Sequence, residues 1–109
     1  MTFDEFCKKV ESTGQRVKNK WGTLPLTPGV KCADGFTVSI QASNTHYCTP
    51  RFDLSFDSYA AYELGYPSEN DDLIAAYADF PEKAPDTVYG YVPSGIVAAL
   101  IDKHGGIVG

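Results

Sequence analysis

The 109-residue sequence predicts a single α+β domain spanning residues 1–109, with a three- to four-stranded, mainly antiparallel sheet packed against two to three helices. Three observations carry that reading. An amphipathic stripe follows a capping signal at the start of the chain. An Asp-Gly pair sits between two short β-rich runs. A last apolar stripe opens on Pro93-Ser94 and closes on His104-Gly105-Gly106. Apolar residues make up 43% of the chain and charged residues 21%, so a packed interior is expected rather than disorder. At this length there is room for one core.

Thr2 and Glu5 have capping-box spacing, and Phe3, Phe6, Cys7 and Val10 then recur at i, i+3, i+4 and i+7. That predicts a first helix over 3–13, with Lys8, Lys9 and Glu11 mostly off its buried stripe. Residues 21–29 hold two prolines and two glycines and are expected to form an ordered loop pinned by Trp21, Leu24 and Leu26. The runs 30–32 and 36–42 flank Ala33-Asp34-Gly35, a strong hairpin signal, with Val38, Ile40 and Ala42 on one face of the second run.

Residues 43–57 read as a polar loop, and alternation over 58–65 predicts a third strand ended by Gly65-Tyr66-Pro67-Ser68. Asn70, Asp71 and Asp72 before Leu73, Ile74 and Tyr77 predict an N-capped short helix ending near Phe80-Pro81. A fourth strand is expected over 88–92. The last helix, over 94–104, presents Val97, Leu100 and Ile101, with glycine following for a left-handed C-cap. His104, in its last turn, is expected to interact with the helix dipole.

The net charge of −5 argues against direct binding of nucleic acid, which calls for a cationic surface. The charge is uneven. Residues 1–34 carry six basic residues against four acids, whereas residues 69–86 carry Glu69, Asp71, Asp72, Asp79, Glu82 and Asp86 against Lys83 alone. Such a run is either a solvated surface or a patch offered to a basic partner. No cationic and apolar leader follows Met1, no window is apolar enough for a membrane span, and three cysteines make an odd count. A reducing cytoplasm is therefore expected.

Cys32, His46 and Cys48 are the one group with the ligand types for zinc, but they lack the tight Cys-x-x-Cys pairing that clamps the ion. No metal or other cofactor is expected. Cys48 with His46, and Arg51 nearby, has the residue types of a thiol nucleophile and its base, yet side chains two apart on an extended segment point to opposite faces. Glycine-rich phosphate loops are missing.

The segments Ala33-Asp34-Gly35-Phe36, Gln41-Ala42-Ser43, His46-Tyr47-Cys48-Thr49-Pro50-Arg51, Tyr89-Gly90-Tyr91-Val92-Pro93 and His104-Gly105-Gly106 resemble small proteins encoded by tailed phages and prophages of Gram-negative bacteria. The resemblance implies a bacterial cytoplasm and an accessory role, of which anti-CRISPR and other anti-defence inhibition are examples. An acidic domain suits that role, because host complexes display cationic channels for nucleic acid. Under this expectation the partner, a host protein or nucleoprotein complex, meets Glu69, Asp71, Asp72, Asp79, Glu82 and Asp86, with Tyr66 and Tyr77 as aromatic anchors. Two alternatives stand beside it. One is a phage accessory or structural subunit acting by self-association, as in a homodimer; the other is a thiol-dependent small enzyme centred on Cys48.

Overall fold

The computed structural model describes residues 1–13, 16, 20 and 26–109. Helix α1 spans Phe3–Ser12 and begins with the expected capping box: the Glu5 N–H donates to Thr2 Oγ1, and the Thr2 N–H donates to Glu5 Oε1. Two of the orphan donors at a helix start are thereby satisfied. Phe3, Phe6, Cys7 and Val10 are buried, so the stripe read from spacing is the packed face.

Strands β1 (Val30–Lys31), β2 (Thr37–Gln41), β3 (Ala61–Gly65) and β4 (Val88–Pro93) form an antiparallel sheet in sequence order. Val30 pairs with Val38, Ile40 with Leu64, Leu64 with Tyr89, and Tyr62 with Val92. These pairs place a continuous apolar row on one face, because alternate residues of a strand point the same way. Helix α2 (Ser94–Lys103) buries Val97, Leu100 and Ile101, and α1 meets the same face where the Phe3 and Tyr62 rings stand edge to face at 5.0 Å. The result, among the described residues, is a single compact domain in which two helices pack with a four-stranded antiparallel sheet. Burying each such side chain contributes about 1.5–3 kcal/mol.

The chain closes on itself. The Ile107 N–H donates to the Met1 carbonyl (2.7 Å), and along the outer edge of β1 the Val108 N–H donates to the Lys31 carbonyl while the Lys31 N–H donates to the Gly109 carbonyl. On the other side, β4 is covered by the Asp79 N–H bonded to the Val88 carbonyl and by the Tyr91 N–H bonded to the Tyr47 carbonyl. Both flanks of the sheet thus have partners for backbone groups that would otherwise offer a template to another chain.

Several expectations are corrected. The third strand begins at Ala61 rather than 58, because residues 56–58 form a 3₁₀ turn that drops Phe56 into the core. No α-helix forms over 70–80. One 3₁₀ turn, Ala75–Tyr77, starts from Asp71, and the chain is then drawn out alongside β4, where Ala78 bridges Tyr89. Leu26 is 70% exposed and so pins nothing, while Trp21 and Leu24 lie outside the described residues. Among the described residues no helix is long and apolar enough to cross a membrane.

Candidate functional site, an acidic segment mounted on a buried histidine

The acidic run occupies the connection between β3 and β4, where little regular structure forms and turns set the path. Tyr66 leaves β3 at φ +50°, a backbone region that disfavours residues with a Cβ, and its ring is 64% exposed. Its N–H donates to the Thr87 carbonyl (3.1 Å), so the two ends of the segment are tied together. Glu69, Asp72, Asp79, Glu82 and Asp86 are all exposed. Lys83, the one cation between them, lies 5.0 Å over the Phe80 ring, which is itself exposed. Between Asn70, Asp72, Ala75, Pro81 and Tyr89 runs a shallow cleft of about 250 Å³.

Two residues of the expected contact set behave differently. Tyr77 is half-buried and packs against the core rather than standing free. Asp71 is drawn inside: its side chain is 2% exposed. One carboxylate oxygen of Asp71, Oδ1, accepts the Leu73 N–H at 2.9 Å. The other, Oδ2, lies 2.9 Å from His104 Nε2, and Lys103 Nζ is 3.0 Å from it. Asp71 therefore mounts the segment, with its carboxylate turned inward.

His104 does more than meet a helix dipole. Its Nδ1 lies 2.6 Å from Asp34 Oδ2 at the tip of the β1–β2 hairpin, and its ring stacks on Phe36 at 4.0 Å. Asp34 repeats the arrangement of Asp71, since its Oδ1 accepts the N–H two residues on, that of Phe36 (2.9 Å). Gly105, at φ +90°, lets the chain turn here; a Cβ on it would come within 2.9 Å of Ala33 Cβ. Three distant parts of the sequence thus meet on one imidazole.

The electrostatics follow from these contacts. Burial alone pulls His104 down, but its hydrogen bonds to Asp34 and Asp71 outweigh it and hold the imidazole above its ordinary value of 6.5. For Asp71, burial pushes up and is outweighed by the Leu73 N–H, His104 and Lys103, leaving the carboxyl below its ordinary range. Asp34 is also held low, first by the Phe36 N–H and then by His104.

A second cluster lies in the 43–63 region. Ser43 Oγ is 2.7 Å from His46 Nδ1, and His46 Nε2 is 3.9 Å from Glu63 Oε2, an order of hydroxyl, imidazole and carboxylate. Ser43 Oγ, however, already accepts the Thr45 N–H (3.2 Å) and shares a bond with Thr45 Oγ1 (3.0 Å), and the residue is buried. This is a self-capped turn rather than a poised nucleophile.

Cys48 is buried beside the Ser43–His46 turn, its Sγ donating to the Ser43 carbonyl at 3.1 Å. Burial pushes its thiol up, the reverse of activation, and His46 turns to Ser43 instead. Cys32 sits apart, bridged to Ile107, and among the described residues no three His, Cys, Asp or Glu side chains are grouped to hold a metal ion.

Arg16 is the other site residue that sequence reasoning missed. Its guanidinium is 3% exposed and donates to the carbonyls of Ala42 and Leu54, both at 2.7 Å, while lying 5.1 Å over Phe56. It ties the end of α1 to the 42–56 loop. Comparison with protein-family models, curated proteins and solved structures gives no match to this chain.

Proposed function

We propose that this chain is a non-catalytic binding protein of phage or prophage origin that blocks a host defence complex, in the manner of an anti-CRISPR inhibitor, by laying its acidic segment on a cationic surface. One observation carries the reading: five exposed carboxylates, Glu69, Asp72, Asp79, Glu82 and Asp86, on a segment tied to the scaffold at Tyr66–Thr87, Asp79–Val88 and Asp71–His104. A preorganised array loses less ordering entropy on binding than a free acidic tail. Its field also steers a basic partner toward encounter. Tyr66 and Phe80 supply exposed aromatic area beside the charges, the residue type that dominates interface energetics.

The test is a pull-down from a bacterial lysate containing active defence systems, run at low and moderate salt. A nucleoprotein complex retained at low salt and lost as salt rises supports the reading. Recovery of the protein alone at both salts counts against it.

Self-association remains a second reading because of a separate surface. Tyr47 and Tyr91 stand exposed with ring centroids 5.9 Å apart, Arg51 lies over Tyr47, and Phe52 is exposed nearby. Sedimentation across a hundredfold concentration range checks it; a constant monomer mass would remove it.

A further inference from the structure

We propose that His104 is a proton-operated latch on the tip of the β1–β2 hairpin: charged, it holds Asp34 and Asp71 together; uncharged, it keeps Asp71 and lets Asp34 turn to water. The inference goes beyond the binding role and does not depend on it. Both ring nitrogens face carboxylate oxygens, at 2.6 Å and 2.9 Å. Ionised carboxylates only accept hydrogen bonds, so both nitrogens must donate, and only the imidazolium has two N–H groups. A neutral ring satisfies one carboxylate and turns a lone pair toward the other.

Exposure decides which carboxylate is released. The Asp71 side chain is 2% exposed and cannot exchange its partner for water, whereas that of Asp34 is 48% exposed and can. A buried carboxylate left one donor short costs more than one that can replace the donor with water. The remaining proton therefore stays on Nε2, facing Asp71. The other charges around the ring act in the same direction. Glu69 stands 4.0 Å from Nδ1 and repels the freed Asp34 carboxylate. Lys103, bonded to Asp71, keeps that carboxylate ionised and so an acceptor for the Nε2 proton. The Phe36 face against the ring is apolar and supplies no donor.

Two backbone amides report the two sides. The Phe36 N–H is bonded to Asp34 and the Leu73 N–H to Asp71. The experiment follows the imidazole nitrogens by long-range proton–nitrogen correlation from pH 5 to pH 9, with hydrogen exchange at both amides. The expected result is an Nε2–H tautomer at high pH. The protection factor of Phe36 should fall several-fold with the His104 midpoint while that of Leu73 holds. An Nδ1–H tautomer, or a loss of protection at Leu73 instead of Phe36, overturns the latch. Asp34→Asn adds a second check, because an amide can donate to the bare Nδ1. Phe36 protection should then stop following pH, and continued dependence contradicts the proposal. The wild-type spectra decide the matter if that variant does not fold.

Discussion

His104 Nε2 and the Asp71 carboxylate lie 2.9 Å apart with both side chains withdrawn from water, 33 residues apart in sequence. That one bond joins the end of α2 to the start of the acidic segment. It also accounts for the burial of one aspartate in an otherwise exposed acidic run.

Removing Asp71 should therefore cost stability rather than affinity. Asp71→Ala leaves the imidazolium and Lys103 without their shared carboxylate and frees the Leu73 N–H. A loss of about 3 kcal/mol is expected, as for other broken buried pairs. Denaturant unfolding checks it, and a change below about 1 kcal/mol would show that Asp71 is ordinary surface.

The same cluster sets a pH window for stability. Asp34 and Asp71 are held below their ordinary value of 3.8, so they stabilise the fold above that pH and the gain is lost as pH falls through their folded values. His104 is raised above 6.5, so its contribution is full below that pH and is lost as pH rises through the folded value. The contribution from the cluster should be greatest between about pH 4 and pH 6.5. Thermal midpoints across pH 3 to 9 test this, and the alkaline decline should flatten in Asp34→Asn.

Arg16 gives a prediction that its position in a basic stretch hides. Arg16→Ala leaves the Ala42 carbonyl without its guanidinium donor, leaves Leu54 only the longer bond from the Tyr59 hydroxyl (3.5 Å), and opens space against Phe56. The expected cost is about 3 kcal/mol. Arg16→Lys should recover only part of it, since an ammonium does not match the forked geometry. Equal stability of the Lys variant and the native protein would contradict the clamp.

Cys48 should be inert. With its thiol buried and pushed up, alkylation at pH 7 should proceed no faster than global unfolding exposes it. Cys7, beneath Tyr62 and pushed up to about 12, should behave alike. Rapid modification of Cys48 in the folded protein would restore the thiol-enzyme alternative.

Much of the fold was legible because local signals agreed with one another. The Thr2–Glu5 box, the Asp34-Gly35 tip and the Val97, Leu100, Ile101 stripe each rest on contacts within a few residues, and each occurs where spacing placed it. The 70–80 region was misread because the N-cap signal at Asp71 is real but short. Asp71 does receive the Ile74 and Ala75 N–H groups, and pairing with β4 then ends the turn. The Asp34–His104–Asp71 tie was not legible, since its members are 70 and 33 residues apart and no spacing rule links them. Their one trace in the sequence is a histidine in a last helical turn of otherwise apolar spacing. Arg16 was hidden for the same reason, because its partners come from a loop 26 to 38 residues away.

The central claim is that the exposed carboxylates of the acidic segment make the functional contact. The most direct test compares the native protein with the triple variant Asp72→Lys, Asp79→Lys, Glu82→Lys, which leaves Asp71 and His104 untouched. Binding to the complex captured at low salt would be measured over a range of salt concentrations. The account predicts an unchanged fold, at least a tenfold loss of affinity at low salt, and a flattened salt dependence. Native affinity and an unchanged salt slope in the folded variant would contradict it.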